Sequence, residues 1–130
     1  MKFLQPPSWA RPKGYANGVM AKGCAVFLSG IVGWNQHSQF ETGDFAAQVR
    51  QALRNIVEIL AQADARPEHI ARMTWYVVDR QEYLNSTREI GEAYRDIIGR
   101  HYPAMTVVEV SGLVEPEARV EIEVTAVVPD

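Results

Sequence analysis

Reactive side chains are few in this sequence, and most of them stand alone. The three histidines, His37, His69 and His101, share no spacing typical of metal ligands. Cys24 is the only cysteine and has no histidine motif beside it, so a buried, inert thiol explains it better than a nucleophile. No glycine-rich segment begins a helix, which argues against a phosphate-binding loop. We therefore expect neither a metal nor an organic cofactor.

Carboxylates near the C-terminus are better placed for acid–base chemistry. Glu121 and Glu123 alternate with apolar residues between Arg119 and Val128, so both carboxylates lie on the polar face of a predicted strand. A carboxylate there could hold a hydrolytic water or accept its proton. By itself, however, such a pattern more often marks a solvated strand face. Tyr15 could donate a hydrogen bond to a ligand or simply cap a strand.

Charge and composition exclude several classes of partner. The 13 basic residues are scattered among 16 acidic ones, for a net charge of −3, whereas nucleic-acid binders usually carry a basic excess. No run approaches the roughly 18 apolar residues that a membrane span requires, and the N-terminus lacks the apolar stretch of a signal peptide. With one cysteine and no internal disulfide, we expect a cytoplasmic protein without nucleic-acid or membrane partners.

The elements that must position these groups form one domain of 130 residues. Residues 1–14 are rich in proline and predict an irregular arm. Residues 15–23 and 25–30 predict two short strands joined in a hairpin at Lys22-Gly23. Residues 33–43 are polar and predict a loop.

Two long helices are predicted from apolar residues spaced three and four apart. Asp44 supplies the N-cap of the first helix, which ends before Pro67. The second helix runs from about Glu82 to Ile98, and Gly99 caps its C-terminus. The remaining strands are predicted at residues 70–78, 105–110 and 119–128.

The predicted sheet has more apolar surface than two helices can cover. Both faces of the strand at residues 70–78 are mostly apolar, with Met73, Trp75 and Val77 on one face and Thr74, Tyr76 and Val78 on the other. Monomers avoid exposing a large apolar patch, so closed self-association is the expected solution. The alternative is that the N-terminal arm covers the second face with Phe3, Leu4 and Trp9.

Several short motifs stand in a fixed order along these elements. Gly14-Tyr15 opens the first strand, Ser29-Gly30 closes the second, and Gln48 and Asn55-Ile56 lie in the first helix. The most specific block runs from Pro103 to Ala126, with the motifs Tyr102-Pro103-Ala104, Val108-Glu109-Val110, Leu113 and Val120-Glu121-Ile122-Glu123. Over nearly the whole chain, this set closely resembles the Rid family, also called YjgF, the reactive-intermediate deaminases.

The resemblance implies a fold, an assembly and an activity. The fold would be a chorismate-mutase-like α+β domain, with a five- to six-stranded mixed sheet and two helices on one face, assembled as a homotrimer. Members bind small carboxylate-bearing ligands in clefts between subunits. The best-known members hydrolyse reactive enamines and imines, such as 2-aminoacrylate, to keto acids and ammonia, without a metal or an organic cofactor.

Part of the family's site transfers onto this sequence. Glu121 matches a glutamate on the last strand, if one extra residue is allowed in the preceding turn, and Tyr15 matches the tyrosine of the first strand. The resemblance makes these two residues the candidate catalytic groups. Ser29 and Gly30 match the pair that lines the cleft.

Met105 is where the sequence departs from the family. An arginine that follows Pro-Ala anchors the substrate carboxylate in the family; here that position is Met105, and Val107 stands where a cysteine is often found. A thioether cannot form the two parallel, charge-assisted hydrogen bonds of an arginine. The loss corresponds to about 30- to several-thousand-fold in binding. The arginines considered as replacements are Arg11, Arg72, Arg88 and Arg119.

Three functions remain open at this point. The first is hydrolytic deamination of a small enamine or imine in an intersubunit cleft, with Met105 reshaping the pocket for a larger or less charged ligand. The second is a trimer that binds a small metabolite without turnover, with Met105 as flexible filler. The third is a ribonuclease activity that has been attached to some family members, and the acidic balance argues against it.

Overall fold

The computed structural model describes residues 1–130 as a mixed β-sheet covered by helices on one face. A single turn of 3₁₀-helix, Pro67–His69, precedes the first long strand. The seven strands are β1 (Lys2–Phe3), β2 (Val19–Met20), β3 (Cys24–Phe27), β4 (Ile31–Val32), β5 (Ile70–Val77), β6 (Ala104–Glu109) and β7 (Val120–Val128). The three helices are α1 (Phe45–Ala61), α2 (Arg80–Asn85) and α3 (Thr87–Ile97).

The five-stranded sheet is organised around β7. The strand order is β3-β7-β5-β6, and β4 also pairs with β7. Strands β5 and β6 are parallel, whereas β7 runs antiparallel to β3, β4 and β5. The predicted α+β fold with a mixed sheet is therefore confirmed, and β6 forms one edge of that sheet.

The core lies between the sheet and the two longer helices. On β7, every second residue from Val120 to Ala126 is buried, as the alternation of the sequence predicted. The inward side chains of β5 meet them in the same layer. Buried helical partners include Val49, Leu53, Ile56, Ile90 and Tyr94. None of the helices has the length and apolar character needed to cross a membrane.

Helix α1 begins at its predicted N-cap and is tied to the sheet by a buried amide. The Asp44 carboxylate accepts a hydrogen bond of 2.9 Å from the backbone N–H of Ala47. One turn later, the Gln48 side chain donates to the carbonyls of Thr42 and Glu117 and accepts from the N–H of Arg119. Because Gln48 is completely buried, these bonds satisfy its polar atoms and fix the start of β7 against the helix.

The predicted N-terminal hairpin is wrong. Strand β2 pairs with β1, inside the arm that was expected to be irregular, and β3 pairs with β7. Gly23 explains the change: its φ is +146°, and a Cβ there would collide with the backbone carbonyl of Val128. The chain therefore passes close beside the end of β7 and continues along it, instead of folding back onto β2. Cys24, expected to be buried, is exposed at the start of β3, on the edge of the sheet.

The predicted second helix is divided into α2 and α3. The division falls at Ser86, whose φ of −114° and ψ of 14° are not helical. The apolar stripe expected across it is partly broken, because Leu84 is 51% exposed whereas Ile90 and Tyr94 are buried. Gly99 has the left-handed φ of +91° expected after a helix C-terminus.

The second face of the sheet carries no helix. Thr74 and Tyr76 of β5 point to this face as expected, but Arg72 does so as well, and the expectation that the face is mostly apolar is wrong in part. Phe27 is an apolar exception, with 77% of its surface exposed. The N-terminal arm does not cover the face either: Phe3 and Leu4 lie in a groove beside residues 100–102, and Trp9 is 61% exposed. We call this surface the open face.

Candidate functional site

A cavity of about 520 Å³ opens between α3 and the sheet edge formed by β6. Three of the residues singled out in the sequence line it: Tyr15, Met105 and Val107. The parallel register aligns Met105 with Met73 and Val107 with Trp75, so all four side chains point to the helix-covered face. Because no strand lies beyond β6, the cavity stays open to solvent.

Tyr15 reaches the cavity through a link between the arm and β6. The N–H of Ala16 donates to the carbonyl of Pro103 at 2.9 Å, and Ala16 forms an isolated parallel bridge with Ala104. This link holds Tyr15 beside the start of β6, although Tyr15 is not itself in a strand.

Aromatic side chains form much of the cavity wall. Trp75 and Tyr83 meet edge to face at 6.3 Å, and Tyr94 stacks on Tyr102 at 5.4 Å. Burial raises the pKa of both Tyr83 and Tyr94 above the ordinary tyrosine value, so both phenols are harder to ionise than an exposed tyrosine. Tyr94 donates its hydroxyl to the carbonyl of His101, whereas the buried Trp75 Nε1 has no hydrogen-bond partner.

Two cations at the cavity were not identified from the sequence. Arg95 and Lys13 both line it, and neither forms a side-chain hydrogen bond or an ion pair. Gly91 lies one helical turn before Arg95, and a Cβ on it would stand 3.2 Å from Arg95 Nη1. The signal available in the sequence was this i, i+4 pair of a glycine and an arginine on one helical face.

The four arginines considered as replacements for the family arginine lie elsewhere. Arg119 is paired with Glu82, and Arg88 lies 3.6 Å from Glu92 on the outside of α3. The other two also lie outside the cavity: Arg72 points to the open face, and Arg11 lines a neighbouring groove.

The remaining predicted residues form a second group near β4. Ser29 and Gly30 line a shallow groove of about 400 Å³. A Cβ on Gly30 would stand 2.6 Å from the Cδ of Glu121, so the glutamate carboxylate lies directly against this glycine. Behind the groove, the Asn55 amide donates to the carbonyls of Val32 and Trp34 at 3.1 and 2.8 Å and holds the segment after Gly30 in place.

The two groups are not brought together within one chain. Glu121 is in register with Tyr76 and shares the open face with it, whereas Met105 points to the helix-covered face. On the open face, the Tyr76 hydroxyl donates to Glu123 at 3.4 Å, and the charge of Glu123 raises the pKa of Tyr76. The sheet itself therefore separates the Glu121 carboxylate from the cavity beside Met105.

Comparison with known families agrees with this architecture. The family model described as Endoribonuclease L-PSP matches residues 8–128. The chain belongs to this family, the Rid or YjgF family. Within it, a RutC family protein from Aquifex aeolicus is 32% identical over 98% of this chain and 99% of its own length. The human 2-iminobutanoate/2-iminopropanoate deaminase is 28% identical over 78% of this chain and 72% of its own.

Solved Rid structures share the fold over almost the whole chain. A conserved Rid family protein from Yersinia pestis has a TM-score of 0.85 at 26% identity, with 98% of each chain covered. Escherichia coli TdcF, solved with bound serine, has a TM-score of 0.68 at 28% identity, with 98% of this chain and 99% of TdcF covered. The recognition made from the motifs of the sequence is thereby confirmed.

Proposed function

We propose that this Rid protein hydrolyses a small 2-imino acid or its enamine to a 2-keto acid and ammonia, as a homotrimer in the cytoplasm. The observation that carries the proposal is the division of the site. Tyr15 and Met105 line an open cavity, whereas Ser29, Gly30 and Glu121 lie together on another surface of the chain. A second copy that docks its Glu121 surface against this cavity would complete one site from two incomplete halves.

Each half supplies a different part of the proposed chemistry. In the reaction, water adds to the imine carbon, a proton passes to nitrogen, and ammonia leaves as the carbonyl forms. A carboxylate such as Glu121 can hold this water, accept its proton and return the proton to the leaving nitrogen. Tyr15, at the rim of the cavity, can donate a hydrogen bond to the substrate. No step needs a metal or an organic cofactor.

Names of relatives support this proposal over the ribonuclease alternative. Human, rat, bovine and Escherichia coli relatives are named 2-iminobutanoate/2-iminopropanoate deaminases, and TdcF was solved with serine, a small amino acid. The family model is described as an endoribonuclease, but this chain has a net charge of −3 and lacks the basic excess that an RNA-binding surface needs.

Met105 favours a second candidate, a trimer that binds a small metabolite without turnover. The half-buried thioether offers no charge to a carboxylate, so the protein could have kept the cleft and lost the reaction.

Ammonia release decides between catalysis and binding. An L-amino-acid oxidase would generate a panel of imino acids in situ, and ammonia release would be measured with this protein, without protein, and with the human deaminase as positive control. We expect release above the uncatalysed rate for at least one imino acid, and loss of that excess in Glu121→Ala. A panel that this protein hydrolyses no faster than buffer, while the human deaminase is active, would contradict the deaminase proposal and favour the binding module.

A further inference from the structure

We propose that Arg95 is the carboxylate anchor of this protein and that the cavity selects 2-imino acids with a bulky apolar side chain. This inference rests on the proposed function in taking the ligand to be an imino acid. Arg95, on helix α3 at the mouth of the cavity, would bind the ligand's carboxylate. The ligand's side chain would occupy the inner end of the cavity.

Arg95 is the better placed of the two cations for this role. It projects from α3, a regular helix whose neighbouring residue Tyr94 is buried, so its backbone is fixed. Gly91 leaves room for the guanidinium to lie back along the helix, with Nη1 only 3.2 Å from the position a Cβ would take. The guanidinium has no carboxylate partner in the chain, whereas Arg88 on the outside of the same helix is paired with Glu92. Its donors are therefore free for an anion.

Lys13 adds a second positive charge at the same cavity, from the N-terminal arm. Within one chain, no acidic side chain lines the cavity, so a ligand carboxylate near both cations meets no like charge from its own subunit. The electrostatic field there consequently favours an anion.

The inner wall of the cavity is suited to an apolar part of the ligand. Met105 and Val107 on β6, with Trp75 beneath them, offer no charge. Burying a charged carboxylate against these groups would cost desolvation with no cation to compensate it, so the anionic end stays at the arginine. The ligand's other end then points inward, toward rings that can stack with an aromatic or pack an aliphatic group.

The cavity volume leaves room for a ligand larger than the C3 and C4 imino acids in the names of the relatives. About 520 Å³ lies within the range of roughly 300–1,000 Å³ typical of small-molecule sites. We therefore expect substrates with side chains of the size of leucine or phenylalanine.

Three stable probes, two carboxylates and one amide, separate charge from bulk. Propanoate carries only the anion, 3-phenylpropanoate adds the ring, and 3-phenylpropanamide keeps the ring without the charge. Binding to the assembled wild-type protein, Arg95→Gln and the matched control Arg88→Gln would be measured by calorimetry. The indole N–H resonance of Trp75 in ¹⁵N-labelled protein would report independently whether a probe enters the cavity.

We expect 3-phenylpropanoate to bind best and to shift the Trp75 resonance. Arg95→Gln should weaken it about 10- to 100-fold, as expected for a lost charge-assisted hydrogen bond, and should leave 3-phenylpropanamide unchanged. Arg88→Gln should change neither. Equal binding of 3-phenylpropanoate by wild type and Arg95→Gln would overturn the anchor, and equal binding of propanoate and 3-phenylpropanoate would overturn the size selection. The absence of any binding would overturn both.

Because the probes contain no imine, their binding is independent of turnover. Probe binding that depends on Arg95, without ammonia release from any imino acid, would leave this inference standing and remove the proposed catalysis. Ammonia release that is unaffected by Arg95→Gln would support the proposed catalysis and overturn the inference that Arg95 is the anchor.

Discussion

The cavity beside Met105 and the surface around Glu121 differ in how far one chain completes them. The cavity has walls from the arm, the sheet and α3, and its aromatic rings are packed against the core. The Glu121 surface has a groove at Ser29 and Gly30 and a flat, polar sheet face beside it, with Phe27 projecting from it. A preformed pocket can bind a ligand by itself, whereas a flat face needs a second surface before it can exclude water. The difference suggests that ligand binding and catalysis depend on assembly to different degrees.

Preventing assembly should have the largest effect, because it would separate the cavity of one chain from the Glu121 surface of another. We expect wild type to give about three times 14.6 kDa in light scattering, and Phe27→Asp to give a monomer, because a buried charge would be left unpaired at the interface. Any imine hydrolysis should disappear with the trimer. Val114 is 93% exposed on the turn before β7 and provides a control, since Val114→Asp should remain trimeric. A folded wild-type monomer with full activity would contradict the trimer.

Removing the carboxylate on the Glu121 surface should affect catalysis alone. Glu121→Gln keeps the shape beside Gly30 but removes the base, so turnover should fall about 100- to 10,000-fold while the trimer persists. The steady-state rate of ammonia release gives the comparison. Glu123→Gln, on the same strand and paired with Tyr76, is the control and should retain most activity. Unchanged turnover in Glu121→Gln would make Glu121 part of a solvated strand face.

Asn55 tests whether the groove at Ser29 and Gly30 is held independently of the cavity. Asn55→Ala removes two hydrogen bonds to backbone carbonyls and the one that Asn55 accepts from Gln51, and it should lower the free energy of unfolding by about 2 kcal/mol. Urea denaturation would measure it. Gln51→Ala removes only the bond between the Gln51 and Asn55 side chains and should cost less than half as much. Probe binding in the cavity should be retained in both variants; its loss in Asn55→Ala would show that the two regions are coupled.

The smallest expected effect is a gain at the inner wall of the cavity. Met105→Arg places a guanidinium where the thioether now lies, and it should raise hydrolysis of 2-aminoacrylate about tenfold over a low wild-type rate. Pyruvate formation would be followed for both proteins. Val107→Ala controls for a change of shape without charge and should give no gain. An inactive but trimeric Met105→Arg would show that the cavity has diverged beyond this position.

Predictions that rest on local sequence signals were correct more often than predictions of which strands pair. Helix α1 was predicted correctly because its cap, its apolar spacing and the proline after it are all local signals. The hairpin at Lys22-Gly23 was wrong because the competing partner of β3 is β7, about a hundred residues further along the chain. The prediction that both faces of β5 are mostly apolar was wrong in part, since the charged Arg72 also faces outward.

The sequence alone determined the family, the α+β fold and which residue types stand at the family's site positions, because these depend on motifs and local periodicity. It determined equally that Met105 brings no charge to its site. Only the tertiary structure decided which cations lie at the cavity of Met105: Arg95 and Lys13 line it, whereas the four arginines considered from the sequence do not. It also placed Glu121 across the sheet from that cavity. Both results follow from strand register and from packing between distant segments, which a single sequence does not encode in any local pattern.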